Sequence, residues 1–150
     1  MNRKIVSLKI FFLFSLLLIA GCARTGNDCI KAERIIDGDT LIISTGETIR
    51  LIGIDAPERG RPYSKIAAEA LESFVASKCL KLEKDIVETD KYSRQLRYVY
   101  ADNLFVNEAL VSNGLAKTLS IEPDTRYKEQ FEKAEAYAKN NKLELWSKQK

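Results

Sequence analysis

Apolar residues along this chain fall first into one unbroken run, then into short strand-like segments, and last into helical stripes. Residues 10–20 are apolar except for Ser15. A helix needs about 20 such residues to cross a bilayer, so the run reads as the core of a secretory signal. Residues 30–36 form a β-rich stretch closed by the turn signal Asp37-Gly38-Asp39. A second strand is expected at 41–43, a turn at Thr45-Gly46-Glu47, and a third strand at 49–54. Strands at 80–87 and 96–100 follow a helix, in which Ile66, Ala70 and Phe74 recur beside Ala67, Leu71 and Val75, with Ser64 as the expected N-cap. A second helix is predicted over 106–113, stopped by Gly114. The third carries the stripe Tyr127, Phe131, Ala134 and Ala138, and Trp146 beyond it is expected to plug the core. Three strands, a helix, two strands and two helices make an α+β chain, mainly β: a five-stranded OB-like barrel with three α-helices.

The N-terminal run has a basic head of Arg3, Lys4 and Lys9, and it ends in Leu18-Ile19-Ala20-Gly21-Cys22, which resembles a bacterial lipobox. That resemblance implies cleavage before Cys22 and a lipid on its sulfur; the competing reading is an ordinary secretory signal with an incidental cysteine. The expected organisation is a lipoprotein signal peptide at 1–21, a lipid-anchored tether at 22–29 and one domain at 30–148. The protein would then be exported and held at a membrane through Cys22, periplasmic or at the cell surface.

Charge then loses its apparent meaning. The net +3 rests on the three basic residues of the signal, and without them the remaining 21 basic side chains equal the 21 acidic ones. Polyanion binding must therefore come from local clustering. Histidine is absent, which excludes a histidine general base, a Ser-His triad and histidine-ligated zinc. Of three cysteines, lipidation of Cys22 would leave Cys29 and Cys79, either bridged in an oxidising compartment or as two free thiols.

Acidic residues stand where strands end: Asp39 after the first turn, Asp55 and Glu58 after the third strand. Brought together by a barrel, three carboxylates require a cation, and oxygen-only ligands suit Ca²⁺, with Mg²⁺ second. Each alone reads as an ordinary turn or solvated loop. Alternation along the third strand puts Arg50 on the face of Ile52 and Ile54, where a guanidinium needs a partner: a carboxylate or a phosphate. Asp90-Lys91-Tyr92-Ser93-Arg94 adds two cations and an aromatic in one loop.

Ile36-Asp37-Gly38-Asp39-Thr40, then residues 49–58 (IRLIGIDAPE), then Thr89-Asp90-Lys91-Tyr92-Ser93-Arg94 resemble the motifs of the thermonuclease (staphylococcal nuclease) family, in the family's order. Residues 106–111 with Gly114-Leu115-Ala116, and residues 143–146, resemble further family segments, so the likeness covers residues 30–147. It implies an OB barrel with three helices and a Ca²⁺-dependent monomeric endonuclease that cuts DNA and RNA to leave 3′-phosphates. It implies Asp39, Asp55 and the backbone carbonyl of Ala56 as metal ligands, and Glu58 as the carboxylate that orients or deprotonates water. Arg50 and Arg94 correspond to the arginines that hold the scissile phosphate, and Lys91 and Tyr92 to residues that contact a terminal phosphate. In the family barrel the first and fourth strands pair, which would bring Cys29 to Cys79. The chain departs from the staphylococcal pattern in a short loop between Glu58 and Tyr63, in Thr118-Leu119-Ser120-Ile121-Glu122 where that enzyme has base-stacking tyrosines, and in Ser93 and Gln95 flanking Arg94 where glycines are usual. The alternative is a catalytically weak OB-fold lipoprotein that binds nucleic acid or protein.

Overall fold

The structure, a computed structural model, describes residues 29–147. The signal, the lipidation site Cys22 and most of the expected tether lie outside the described residues. The strands β1 (Ala32–Ile35), β2 (Thr40–Ile43) and β3 (Thr48–Leu51) form an antiparallel meander. After β4 (Ile54–Asp55) and helix α1 (Ser64–Val75) come β5 (Leu80–Glu83) and β6 (Gln95–Ala101). The short β7 (Leu104–Phe105) leads into α2 (Val106–Ser112). Last come β8 (Lys117–Thr118), α3 (Lys128–Asn140) and a 3₁₀ turn at Glu144–Trp146.

The strand order is β1-β2-β3-β6-β5, with β3 and β6 parallel. The outer strands meet where Leu80 N donates to Ile30 O at 2.7 Å, beside a disulfide joining Cys29 to Cys79. The five principal strands thus curl into the OB barrel, with three helices packed outside. Its interior is filled by Leu41, Ile49, Leu51 and Val99, with Leu71 of α1 and Leu110 of α2 buried in the same core, while Tyr98, on the opposite face of β6 from Val99, packs against Phe131 of α3; all are at most 1% exposed.

The expected third strand is two pieces. Gly53 takes φ +79° between β3 and β4, and a Cβ there would lie 2.4 Å from the Phe131 ring. This break shifts the alternation: Ile49 and Leu51 enter the core, and so do Ile52 and Ile54 beyond the turn. Arg50 therefore faces away from the core residues that flank it, not alongside Ile52 and Ile54 as uninterrupted alternation suggests. The 80–87 strand ends at Glu83, because the Asp124 carboxylate accepts from both Ile86 N and Val87 N (2.9 Å each) and holds that segment off the sheet. Ser64 is the first helical residue and not the cap; Tyr63 takes the cap position at φ +68°, and no side chain caps the helix. Trp146 is half-buried and does not plug the core.

Candidate active site

Asp39 leads into β2 at the end of the first turn. Gly38 is required there by close approach, since a Cβ on it would lie 2.6 Å from the Ala67 Cβ and 2.7 Å from the Ala56 Cβ. The Asp39 side chain, 8% exposed, accepts from Ala56 N through Oδ2 (2.7 Å) and from the Thr40 hydroxyl through Oδ1 (3.1 Å). Burial raises its pKa to about 6, against the lowering by Arg50 and by the Ala56 N–H.

Arg50 lies next to this carboxylate, with Nη2 3.1 Å from Asp39 Oδ2 and 3.4 Å from Asp55 Oδ1. Nη1 donates to the carbonyls of Leu51 (2.6 Å) and Ile54 (2.9 Å). The β3–β4 break creates this cradle, because Ile54 O is brought back to the guanidinium four residues earlier. Asp55 itself is half-exposed, and its backbone pairs with Lys117 in the β4–β8 ribbon.

The parallel pairing of β3 with β6 aligns Ile49 with Gln95 and Arg50 with Leu96, so Arg94, one residue before β6, stands beside the strand carrying Arg50. Its loop is organised by Asp90. Oδ1 accepts from Tyr92 N (2.9 Å) and Arg94 N (3.0 Å), and Oδ2 accepts from Arg94 Nε (2.7 Å). Burial works against the charge on Asp90, but these Arg94 and Tyr92 hydrogen bonds outweigh it and lower its pKa. Ser93 adopts φ +63° there, the left-handed backbone that a glycine would take without strain. Tyr92 is exposed, with the Lys91 Nζ 5.0 Å and the Arg94 guanidinium 5.4 Å from its ring centre.

Two cavities flank this constellation. The first, about 500 Å³, is lined by Arg50, Arg94, Lys91 and Tyr92, with Leu119 and Ile121 on its far wall. The second, about 360 Å³, holds Asp55, Ala56 and Glu58, faced by Arg61, Lys117 and Trp146. The predicted residues thus divide between two adjoining recesses, with Asp39 and Arg50 at the centre. The expectation that Asp39, Asp55 and Glu58 converge is corrected: among the described residues no three acidic, cysteine or histidine side chains form a metal-holding group. Glu58 follows Pro57 out into solvent, and is exposed.

Asp39 and Asp55, which meet at Arg50 Nη2, are nevertheless a fitting partial set for a hard cation. Asp39 is a nearly buried acid whose charge is disfavoured by burial, which a bound cation would offset, and all donors are oxygen. A Ca²⁺ ion takes six to eight oxygens, roughly, and completes its shell with water and substrate where the protein gives fewer.

The anchoring role of Asp90 is absent from the sequence-based expectations, although an aspartate directly before a turn, here Lys91-Tyr92, is a recognised signal for side-chain bonding to the backbone two residues on. The placing of Lys117 and Trp146 beside Asp55 had no local signal at all.

The family model described as "Staphylococcal nuclease homologue" matches residues 48–148. The thermonuclease of Staphylococcus hyicus is 33% identical over 137 residues, which cover 85% of this chain and 81% of that protein. "Endonuclease YncB" of Bacillus subtilis (strain 168) is 39% identical over 130 residues, covering 79% of this chain and 62% of that one. "SPbeta prophage-derived endonuclease YokF" of the same strain is 38% identical over 130 residues, with 79% of this chain but 44% of the relative covered. The chain therefore spans less than two thirds of the two Bacillus proteins.

Proposed function

The chain belongs to the staphylococcal nuclease family, and from that premise we propose a Ca²⁺-dependent endonuclease that hydrolyses phosphodiesters of DNA, RNA or both and leaves 3′-phosphates. Its nuclease character follows from the family and from relatives that are thermonucleases and endonucleases. The metal, the product end and the residue roles are the proposal.

The observation that carries it is Arg50, held by two backbone carbonyls and two carboxylates at the mouth of a cavity that Arg94 also lines. A guanidinium held in place by carbonyls on Nη1 and carboxylates on Nη2 keeps its Nε–H for a phosphoryl oxygen without reorganising, and a cation taking the two carboxylates would release the Nη2 donors as well, which is the condition for stabilising charge that develops there. Arg94, fixed through Nε by Asp90, leaves its terminal nitrogens for a second phosphate oxygen. Asp39, Asp55 and the Ala56 carbonyl would hold the cation, which supplies charge neutralisation and a site for water. Glu58, exposed in the recess that Asp55 shares, orients that water by hydrogen bonding. A carboxylate is a weak base at neutral pH, so its main contribution is position. Lys91 and Tyr92 lie along the first cavity, where a further phosphate of the strand passes.

We also propose that 1–21 are removed, that the domain spans 30–148, and that lipidated Cys22 holds the monomer at the outer side of the cytoplasmic membrane. The nuclease reading is tested by incubating the purified chain with plasmid DNA and with RNA, first in calcium and then in excess chelator. Degradation that stops with chelator and resumes with added calcium is expected. Persistence in chelator removes the metal from the mechanism, and no degradation at all favours a binding module.

A further inference from the structure

A phosphodiester inside a strand has a nucleotide on each side of its phosphorus, so cleavage within a strand needs two recesses that meet at the scissile phosphate. The first cavity, with Arg50, Arg94, Lys91 and Tyr92, accounts for one arm. The second adjoins it through Asp55, whose Oδ1 is 3.4 Å from Arg50 Nη2, and its roughly 360 Å³ lies within the range of nucleotide-sized ligand sites, about 300–1,000 Å³.

We propose that this second cavity is the subsite for the nucleotide across the scissile phosphate from Lys91 and Tyr92, with Arg61 and Lys117 as its phosphate contacts and Tyr63 and Trp146 as its nucleoside wall. The inference rests on the reading that the Arg50–Arg94 cavity holds the scissile phosphate. Lys117 is set beside Asp55 by the β4–β8 register, and Arg61 comes from the loop after Glu58. Both are exposed, and among the described residues neither has a carboxylate within ion-pair distance, so their charge is available to a polyanion. Lys117 and Lys139 approach the Trp146 ring at 5.7 and 4.5 Å, which concentrates cations at an aromatic surface. Tyr63 is fixed against the same corner by its hydroxyl, 2.8 Å from the Ser147 hydroxyl. Cations interleaved with aromatic rings along a groove suit a single strand, because phosphates and base faces recur whatever the sequence. This arrangement gives affinity without base choice.

The test compares two substrates with the full chain. One is a single-stranded DNA oligonucleotide; the other is a nucleoside 3′-phosphate 5′-(p-nitrophenyl phosphate), whose second arm is a nitrophenyl ring and not a nucleotide. Arg61→Ala and Lys117→Met are each expected to raise KM for the oligonucleotide about fivefold more than for the chromogenic ester. Each is also expected to reduce the slope of log KM against log salt by about 0.7 on the oligonucleotide. Equal changes on both substrates, or no change on either by variants with wild-type melting temperature, overturn the subsite.

Trp146 is the only tryptophan, so its emission reports on this cavity independently of turnover. A saturating oligonucleotide should change that emission and a nucleoside 3′,5′-bisphosphate, which fills one arm, should not. The same emission change with both ligands, or with neither, also rejects the proposal. If the wild-type chain cleaves neither substrate, the nuclease reading fails, and the fluorescence comparison still decides whether the second recess takes a strand.

Discussion

Arg50 and Asp39 form a nearly buried ion pair, Nη2 to Oδ2 at 3.1 Å, with side chains 12% and 8% exposed. The same Asp39 oxygen also accepts from Ala56 N, so one carboxylate links the first turn, the arginine of β3 and the backbone after β4. Three segments distant along the chain are fixed in one geometry. The two partners are not equivalent: without Asp39 the guanidinium keeps the Leu51 and Ile54 carbonyls and Asp55, whereas removal of Arg50 leaves a nearly buried carboxylate uncompensated, which costs more than breaking an exposed pair.

Arg50→Ala, Arg94→Ala and Glu58→Ala should each lower turnover on single-stranded DNA by roughly 10²-fold or more, with near-UV circular dichroism retained. Steady-state kcat is the measurement. A variant within a few-fold of wild type removes that residue from the mechanism.

Asp39→Asn should stabilise the chain at pH 7 in chelator while abolishing hydrolysis. The Asp39 pKa is raised by burial to about 6 from an ordinary 3.8, so between these values the folded state binds the proton that the unfolded state has released. Stability on this account falls as pH rises from about 4 to 6, and the penalty is full above 6 and absent below 4. The amide carries no such penalty. Urea unfolding across pH 3 to 8 should show a gain of roughly 1–3 kcal/mol at pH 7 that vanishes below about pH 4. Calcium should shrink the gain, because the cation stabilises only the wild-type carboxylate. A destabilised Asn variant at pH 7 contradicts the assignment.

Asp90→Ala should act through Arg94. Without the Nε contact at 2.7 Å and the two backbone N–H bonds, the loop loses the geometry that aims the guanidinium. About a tenfold loss in kcat is expected. In the Arg94→Ala background the second substitution should cost little more, whereas independent additive losses would show that Asp90 does not work through Arg94.

The Cys29–Cys79 bridge closes a separation of 50 residues where the outer strands meet. Cys29→Ser with Cys79→Ser should lower unfolding free energy by about 2–4 kcal/mol, chiefly by freeing the unfolded chain, with kcat kept because both cysteines lie outside the two cavities. An unchanged urea midpoint would show that the bridge contributes nothing.

Much of this molecule is written locally. Period-two and period-four spacing marks the strands and all three helices because each element buries one face, and the stripe Phe131, Ala134 and Ala138 is buried as its spacing requires. Element order and the turn residues then limit the chain to a small barrel, and the absence of histidine removes a histidine general base, a Ser-His triad and histidine-ligated zinc. The tertiary structure alone decided the rest. Gly53 interrupts a strand that reads as continuous, because the close approach of Phe131, 78 residues away, leaves no room for a side chain, and that interruption brings Ile54 O and Asp55 back to Arg50, which the pairing with Thr40 already sets beside Asp39. Asp55 meets Lys117 through a strand register, and Trp146 joins the same recess from the far end of the chain. Contacts between distant segments have no local period, so their partners emerge only when packing brings the segments together.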